Sequence, residues 1–161
     1  MTMPMLKVAP VRKSVRVNAP PARAFEVFTA RFDSWWPKSH HIGKAAVKEV
    51  VIEPRAGGRW YEKGEDGSEC EWGKVLAWEP PSRVILSWHI NSRFEPDETL
   101  ESEVEIRFIP DGANATRVEL EHRIEASDAD VLRASVDSPG GWSGLLEIFR
   151  QTAEALTGRG I

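Results

Sequence analysis

The pattern of apolar and polar positions changes period along the chain, and each change marks an element. In residues 141–156 (GWSGLLEIFRQTAEAL), Trp142, Leu145, Leu146, Phe149, Ala153 and Leu156 recur at steps of three and four. That spacing puts them on one face of an α-helix, with Glu147, Arg150, Gln151 and Glu154 on the other. Burying each large side chain is worth about 1.5–3 kcal/mol, so the stripe requires an apolar, concave surface to receive it. Near the start, Val15 and Val17 alternate with Ser14 and Arg16, which predicts a strand over residues 13–18. Pro20 and Pro21 suit the first turn of a helix running to about Arg31, with Phe25, Phe28 and Phe32 on its face, and Pro37 stops any helix still running.

From Val47 the period becomes two. Residues 47–53, 58–63, 68–78, 83–90, 100–109 and 116–124 all read as strands, and every gap between them carries turn residues. Gaps this short join antiparallel neighbours, because a parallel crossover needs a dozen residues or more. In the last two strands Val104, Ile106 and Phe108 oppose Glu103, Glu105 and Arg107, while Val118, Leu120, His122 and Ile124 oppose Arg117, Glu119, Glu121 and Arg123. One face is therefore dry and the other wet. Residues 128–134 suggest a helical turn capped by Ser127, and the closing helix is expected to begin after Pro139-Gly140-Gly141. The sum is one α+β domain over residues 1–161 with its core at about 12–157. A curved antiparallel sheet of about seven strands wraps the C-terminal helix, and two short helices follow the first strand.

Composition narrows the partners. A net charge of −4 provides no basic field for nucleic acid or acidic lipid, and no apolar run is long enough for a signal peptide or a membrane span, so the expected location is the cytoplasm. Cys70 is the only cysteine and cannot form an internal disulfide. Seven Trp against one Tyr is the unusual feature, and it raises the question of what so much aromatic surface packs against.

An ordered set of short motifs carries a family resemblance. The strand and Pro-Pro helix are followed by Trp35-Trp36-Pro37, Pro54-Arg55-Ala56-Gly57-Gly58-Arg59-Trp60, Asp66-Gly67, Gly73-Lys74-Val75-Leu76, Pro80-Pro81, Leu86-Ser87-Trp88, and finally Gly141-Trp142 with Leu145-Leu146. This set resembles the SRPBCC (START-like) superfamily, and within it the branch named after the activator of the heat-shock chaperone ATPase. The resemblance implies a helix-grip fold that binds apolar small molecules in a cavity under the C-terminal helix. It also implies a wide range of functions, since fold does not fix function.

The residues themselves suggest where a ligand would sit. Strand parity puts His122 on the dry face, either as a core histidine already bonded to a partner or as a ligand-binding residue that orients a hydroxyl or carbonyl, and it is the only candidate acid/base. Packing is the expected role for most of the Trp residues, and pocket walls are expected at Trp36, Trp72, Trp88, Trp142, Leu146 and Phe149. His40 and His41 are adjacent and unsuited to sharing a metal, no ligand-like spacing exists elsewhere, and no cofactor is expected. The leading function is non-catalytic binding of a hydrophobic or aromatic small molecule. A cyclase or dehydratase using the same cavity is the alternative, and a chaperone co-factor ranks behind it. The expected partner is an apolar small molecule, with a homodimer left open.

Overall fold

The computed structural model describes residues 6–158, and its architecture follows from where the two periods meet. The strands are β1 (Leu6–Lys7), β2 (Val11–Val17), β3 (Val47–Ile52), β4 (Arg59–Gly64), β5 (Glu69–Glu79), β6 (Arg83–Ser87), β7 (Glu101–Pro110) and β8 (Thr116–Ala126). The helices are α1 (Pro21–Phe28), α2 (Ala129–Val136) and α3 (Gly144–Gly158), with a single 3-10 turn at Phe32–Ser34. From β3 to β8 the sheet is an antiparallel meander, and β1 and β2 both pair with β8, at Leu6 opposite Ala126 and from Val11 opposite His122 to Val17 opposite Thr116. The two short strands thus occupy successive stretches of one edge, and the sheet is seven strands wide. Register shifts at Val47/Glu49, Trp60/Tyr61 and Val75/Ala77 supply the bulges that bend it.

The sheet's concave face receives α3 along the expected stripe. Trp142, Leu145, Leu146, Phe149 and Ala153 are all buried, and Leu156 packs against them half-buried. Helix α1 adds Phe25 and Phe28, which meet Phe108 of β7 edge-on at 5.1 and 5.8 Å, and Phe28 also meets Phe149 at 5.2 Å. The convex face is charged. There Glu105, only 5% exposed, accepts hydrogen bonds from Arg83, Arg107 and Arg123. Burial pushes its carboxyl up, but the three guanidiniums outweigh that and hold it below the usual carboxylate range.

Several boundaries differ from the periodicity. The first helix ends at Phe28 rather than near Arg31, and Phe32 sits in the 3-10 turn. Strand β6 ends at Ser87, because beyond it the chain turns so that His89 N–H donates to Trp72 O and Ile90 bridges to Pro96. Helix α2 is preceded by Asp128, with no side-chain cap; Ser127 does not cap it, and the Asp128 carboxylate instead accepts from the Ser92 hydroxyl. The closing helix proper starts at Gly144. Pro139–Ser143 form a wide π-type turn in which Gly141 is non-helical (φ −91°, ψ −137°), so Trp142 projects from that turn and not from regular helix.

Candidate ligand cleft

Four of the tryptophans converge from four different elements. Trp36 follows the 3-10 turn, Trp72 lies on β5, Trp88 just beyond β6, and Trp142 in the turn before α3. Ring centroids are 5.4 Å apart for Trp36 and Trp72, 6.2 Å for Trp36 and Trp142, and 5.7 Å for Trp88 and Trp142. Trp60 closes the set from behind, 5.2 Å from Trp72 and 5.7 Å from Trp88. The four rings wall a cleft of about 440 Å³, with Ile90, Val136 and Leu145 completing its apolar surface. That volume lies in the range that accepts drug-sized ligands. Another hollow, of about 380 Å³ on the outer face, is lined by salt-bridged side chains including Arg12, Arg107, Arg117, Glu119 and Glu121.

The indole N–H groups show how the cleft is tuned. Trp36 donates to His40 O at 3.0 Å, Trp72 to Glu62 Oε1 at 3.1 Å, Trp88 to Ile90 O at 2.7 Å and Trp142 to His122 Nδ1 at 3.0 Å. Each donor is thus taken up by the protein. An indole has no other polar atom, so the four walls offer the cleft only ring faces and edges.

His122 stands behind this wall. It is fully buried, with its ring 5.0 Å from Trp88 and 6.1 Å from Trp142, and it does not line the cleft. Since Trp142 can only donate, Nδ1 accepts, and the ring proton sits on Nε2, directed at Ser102 Oγ 2.6 Å away. Burial, and secondarily the charge of Arg123, push its pKa down to about 3, so the ring is neutral. Both nitrogens are occupied in holding Trp142 in place.

Of the walls expected from the sequence, Trp36, Trp72, Trp88 and Trp142 come together around the cleft. Leu146 and Phe149 do not line it: both are buried in the core, Phe149 against Phe28 and Trp35, and Leu145 lines the cleft instead. The rim was not foreseen. It is formed by Ser39, His40, His41 and Phe94, the last 60% exposed and held at φ +60°. Phe94 lies in a gap between strands where only turn residues stood out. Its hint was a large aromatic in an otherwise polar stretch. His40 Nε2 donates to Gly140 O at 3.0 Å, joining the two sides of the mouth, and His41 Nδ1 donates to Gly43 O at 2.8 Å. The described residues contain no group of three or more His, Cys, Asp or Glu arranged to hold a metal. Burial, reinforced by Glu62, pushes the half-buried Cys70 thiol up to about 11, so it is no ready nucleophile. Nor is any helix among these residues long and apolar enough to cross a membrane.

A curved sheet gripping a C-terminal helix over an apolar cleft defines the SRPBCC, or helix-grip, superfamily. Within it the chain belongs to the family described as Activator of Hsp90 ATPase homolog 1-like protein, which matches residues 18–154. Among solved structures it is similar to an anthrahydroquino-γ-pyrone synthase, with 36% identity, TM-score 0.60, and coverage of 91% of this chain and 97% of that one. It is also similar to CalC, a self-sacrificing resistance protein of Micromonospora echinospora, with 29% identity, TM-score 0.67, and 91% and 95% of the two chains covered. A protein of Nitrosomonas europaea shares the fold at 14% identity, with TM-score 0.68 over 93% and 97% of the two chains. A search of curated proteins finds no significant match.

Proposed function

We propose that the protein binds a flat, polycyclic aromatic small molecule in the tryptophan cleft, holding it by stacking and burial without turnover. The observation that carries this reading is that all four indole donors are already bound within the protein. A site built to read hydrogen-bonding groups would present such donors, whereas this one presents ring surface, which favours ligands that are themselves planar and apolar. Because stacking walls are rigid and already formed, little ordering is required when the ligand enters. Titration of the protein with anthraquinone, followed by tryptophan fluorescence, tests the reading. Saturable quenching with micromolar affinity is expected, with palmitate a weak competitor. Absence of saturable quenching by anthraquinone, or displacement by palmitate at equal concentration, would reject it.

A second reading is ring closure in the same cleft, favoured by the 36% identity to a γ-pyrone synthase over nearly the whole of both chains. In such a reaction the phenolic oxygen of an ortho-hydroxyaryl 1,3-diketone adds to the distal carbonyl and water leaves, giving a fused γ-pyrone. Incubating the protein with an anthraquinone that bears this side chain distinguishes the readings. Cyclised product above the uncatalysed rate establishes turnover, and unchanged bound substrate leaves binding alone. Action on a chaperone ATPase ranks below both, because a concave apolar hollow of about 440 Å³ suits a small molecule better than a protein surface.

A further inference from the structure

The polar side-chain atoms around the cleft are few enough to account for one by one, and nearly all are occupied. The four indole N–H groups are bound internally. Gly140 O accepts from His40 Nε2, so that nitrogen carries a proton, and His40 Nδ1 faces the Ser39 hydroxyl at 3.3 Å. The Ser138 hydroxyl donates to Ser135 O at 2.7 Å. His41 differs. A carbonyl can only accept, so its bond to Gly43 O puts the ring proton on Nδ1, and in the neutral ring Nε2 is then a lone-pair acceptor with no partner among the described residues. The only other cleft side chain without a hydrogen bond from its polar atom is Ser135, on the α2 side.

We infer that His41 is the residue that recognises a phenolic hydroxyl on the aromatic ligand, so that the cleft selects hydroxylated polycyclic aromatics over their O-methyl ethers. The inference rests on the cleft being an aromatic binding site. Stacking walls tolerate any flat ring system, and a single acceptor at the rim supplies the direction that stacking lacks. A hydroxyl placed there donates to Nε2, whereas a methyl ether has no hydrogen to donate and would leave the imidazole nitrogen desolvated and unpaired. The bond from His41 to Gly43 on its own loop fixes both the tautomer and the ring orientation, as a second partner commonly does for a functional histidine.

The experiment compares 2-hydroxyanthraquinone with 2-methoxyanthraquinone, by tryptophan quenching and by the visible absorption of the bound hydroxyquinone. Wild-type protein is expected to prefer the hydroxyl compound by about tenfold, roughly the weight of one hydrogen bond to an otherwise unpaired acceptor. It is also expected to shift the bound compound's absorption to longer wavelength. His41→Phe should remove the preference and the shift by weakening only the hydroxyl compound. His41→Gln, which keeps an acceptor, should restore part of the preference, and Ser135→Ala should leave it intact. If wild-type protein binds both quinones equally, or if His41→Phe retains the preference, the role of His41 is overturned while the aromatic cleft stands. If neither quinone nor anthraquinone binds, the cleft reading fails and this inference falls with it.

Discussion

Trp142 donates its indole N–H to Nδ1 of His122 across 3.0 Å, and the same imidazole passes its own proton towards Ser102 Oγ at 2.6 Å. This chain runs from the cleft wall through the sheet, and it operates only while His122 is neutral, since a protonated Nδ1 cannot accept. Burial lowers the folded-state pKa to about 3 from an ordinary 6.5. In the unfolded chain the histidine takes up a proton as pH falls below 6.5, while the native protein resists doing so until about 3. Native stability is therefore full above 6.5 and is lost progressively between 6.5 and 3, at up to about 1.4 kcal/mol per pH unit. His122→Gln, which can still accept from Trp142 and donate to Ser102, is expected to flatten the dependence. Urea unfolding at pH 6.5 and 5.0 checks this, because over that interval the carboxylates with lowered pKa, Glu105 among them, remain largely ionised.

Much of this arrangement was legible in the chain. The three-and-four stripe of residues 142–156 and the alternation around Val104 and Val118 report burial directly, because a helix or strand against one surface has a fixed period. Parity also placed His122 on the inner face. What parity cannot supply is depth: Trp142, Trp88 and His122 all face inward, yet the two indoles line the cleft and the imidazole lies behind them. The same gap explains Leu146 and Phe149, since one helical face is wide enough to serve both the cleft and the core. The rim was hidden for another reason. Phe94 and His41 sit in irregular segments, where no repeat links a position to a direction.

Glu62 joins the cleft floor to its mouth. It is 2% exposed, and its Oε1 accepts both the Trp72 indole N–H and the backbone N–H of Ile42, next to His41. Glu62→Leu would leave two donors unpaired, at about 1–3 kcal/mol each where burial persists. The expected outcome is a total loss of about 2–6 kcal/mol in chemical unfolding, with weakened anthraquinone quenching. Glu62→Gln keeps an acceptor oxygen and is expected to lose less than half as much.

Phe94 is a large aromatic held where only glycine is comfortable, at φ +60°, with its ring 60% exposed at the cleft mouth. The loop around it imposes the conformation: Asn91 Oδ1 accepts from the backbone of Arg93 and Glu95, and Phe94 N–H donates to Asn91 O. Left-handed backbone costs a non-glycine residue about 1–2 kcal/mol. Phe94→Gly relieves that strain, offset in part by the greater freedom glycine has when unfolded. The thermal midpoint is therefore expected to stay level or rise while anthraquinone affinity falls several-fold. A drop in midpoint with affinity unchanged would assign Phe94 to the fold instead of the ligand.

Gly141 decides where Trp142 points. A Cβ added to it would overlap the carbonyl of Val136, backbone against backbone, at the junction where α2 gives way to the wide turn before α3. No rotamer change relieves such a clash, so Gly141→Ala must open the turn and carry Trp142 away from His122. The expected cost is about 1–3 kcal/mol or more, with anthraquinone quenching lost even under conditions where the domain stays folded. Gly140 is the internal control, because a Cβ there meets nothing within 4 Å. Gly140→Ala is expected to change stability by less than about 0.5 kcal/mol and leave quenching intact. Parallel urea melts and quenching titrations on the two variants would show whether close packing at this one residue, and not the flexibility of a glycine pair, sets the cleft wall.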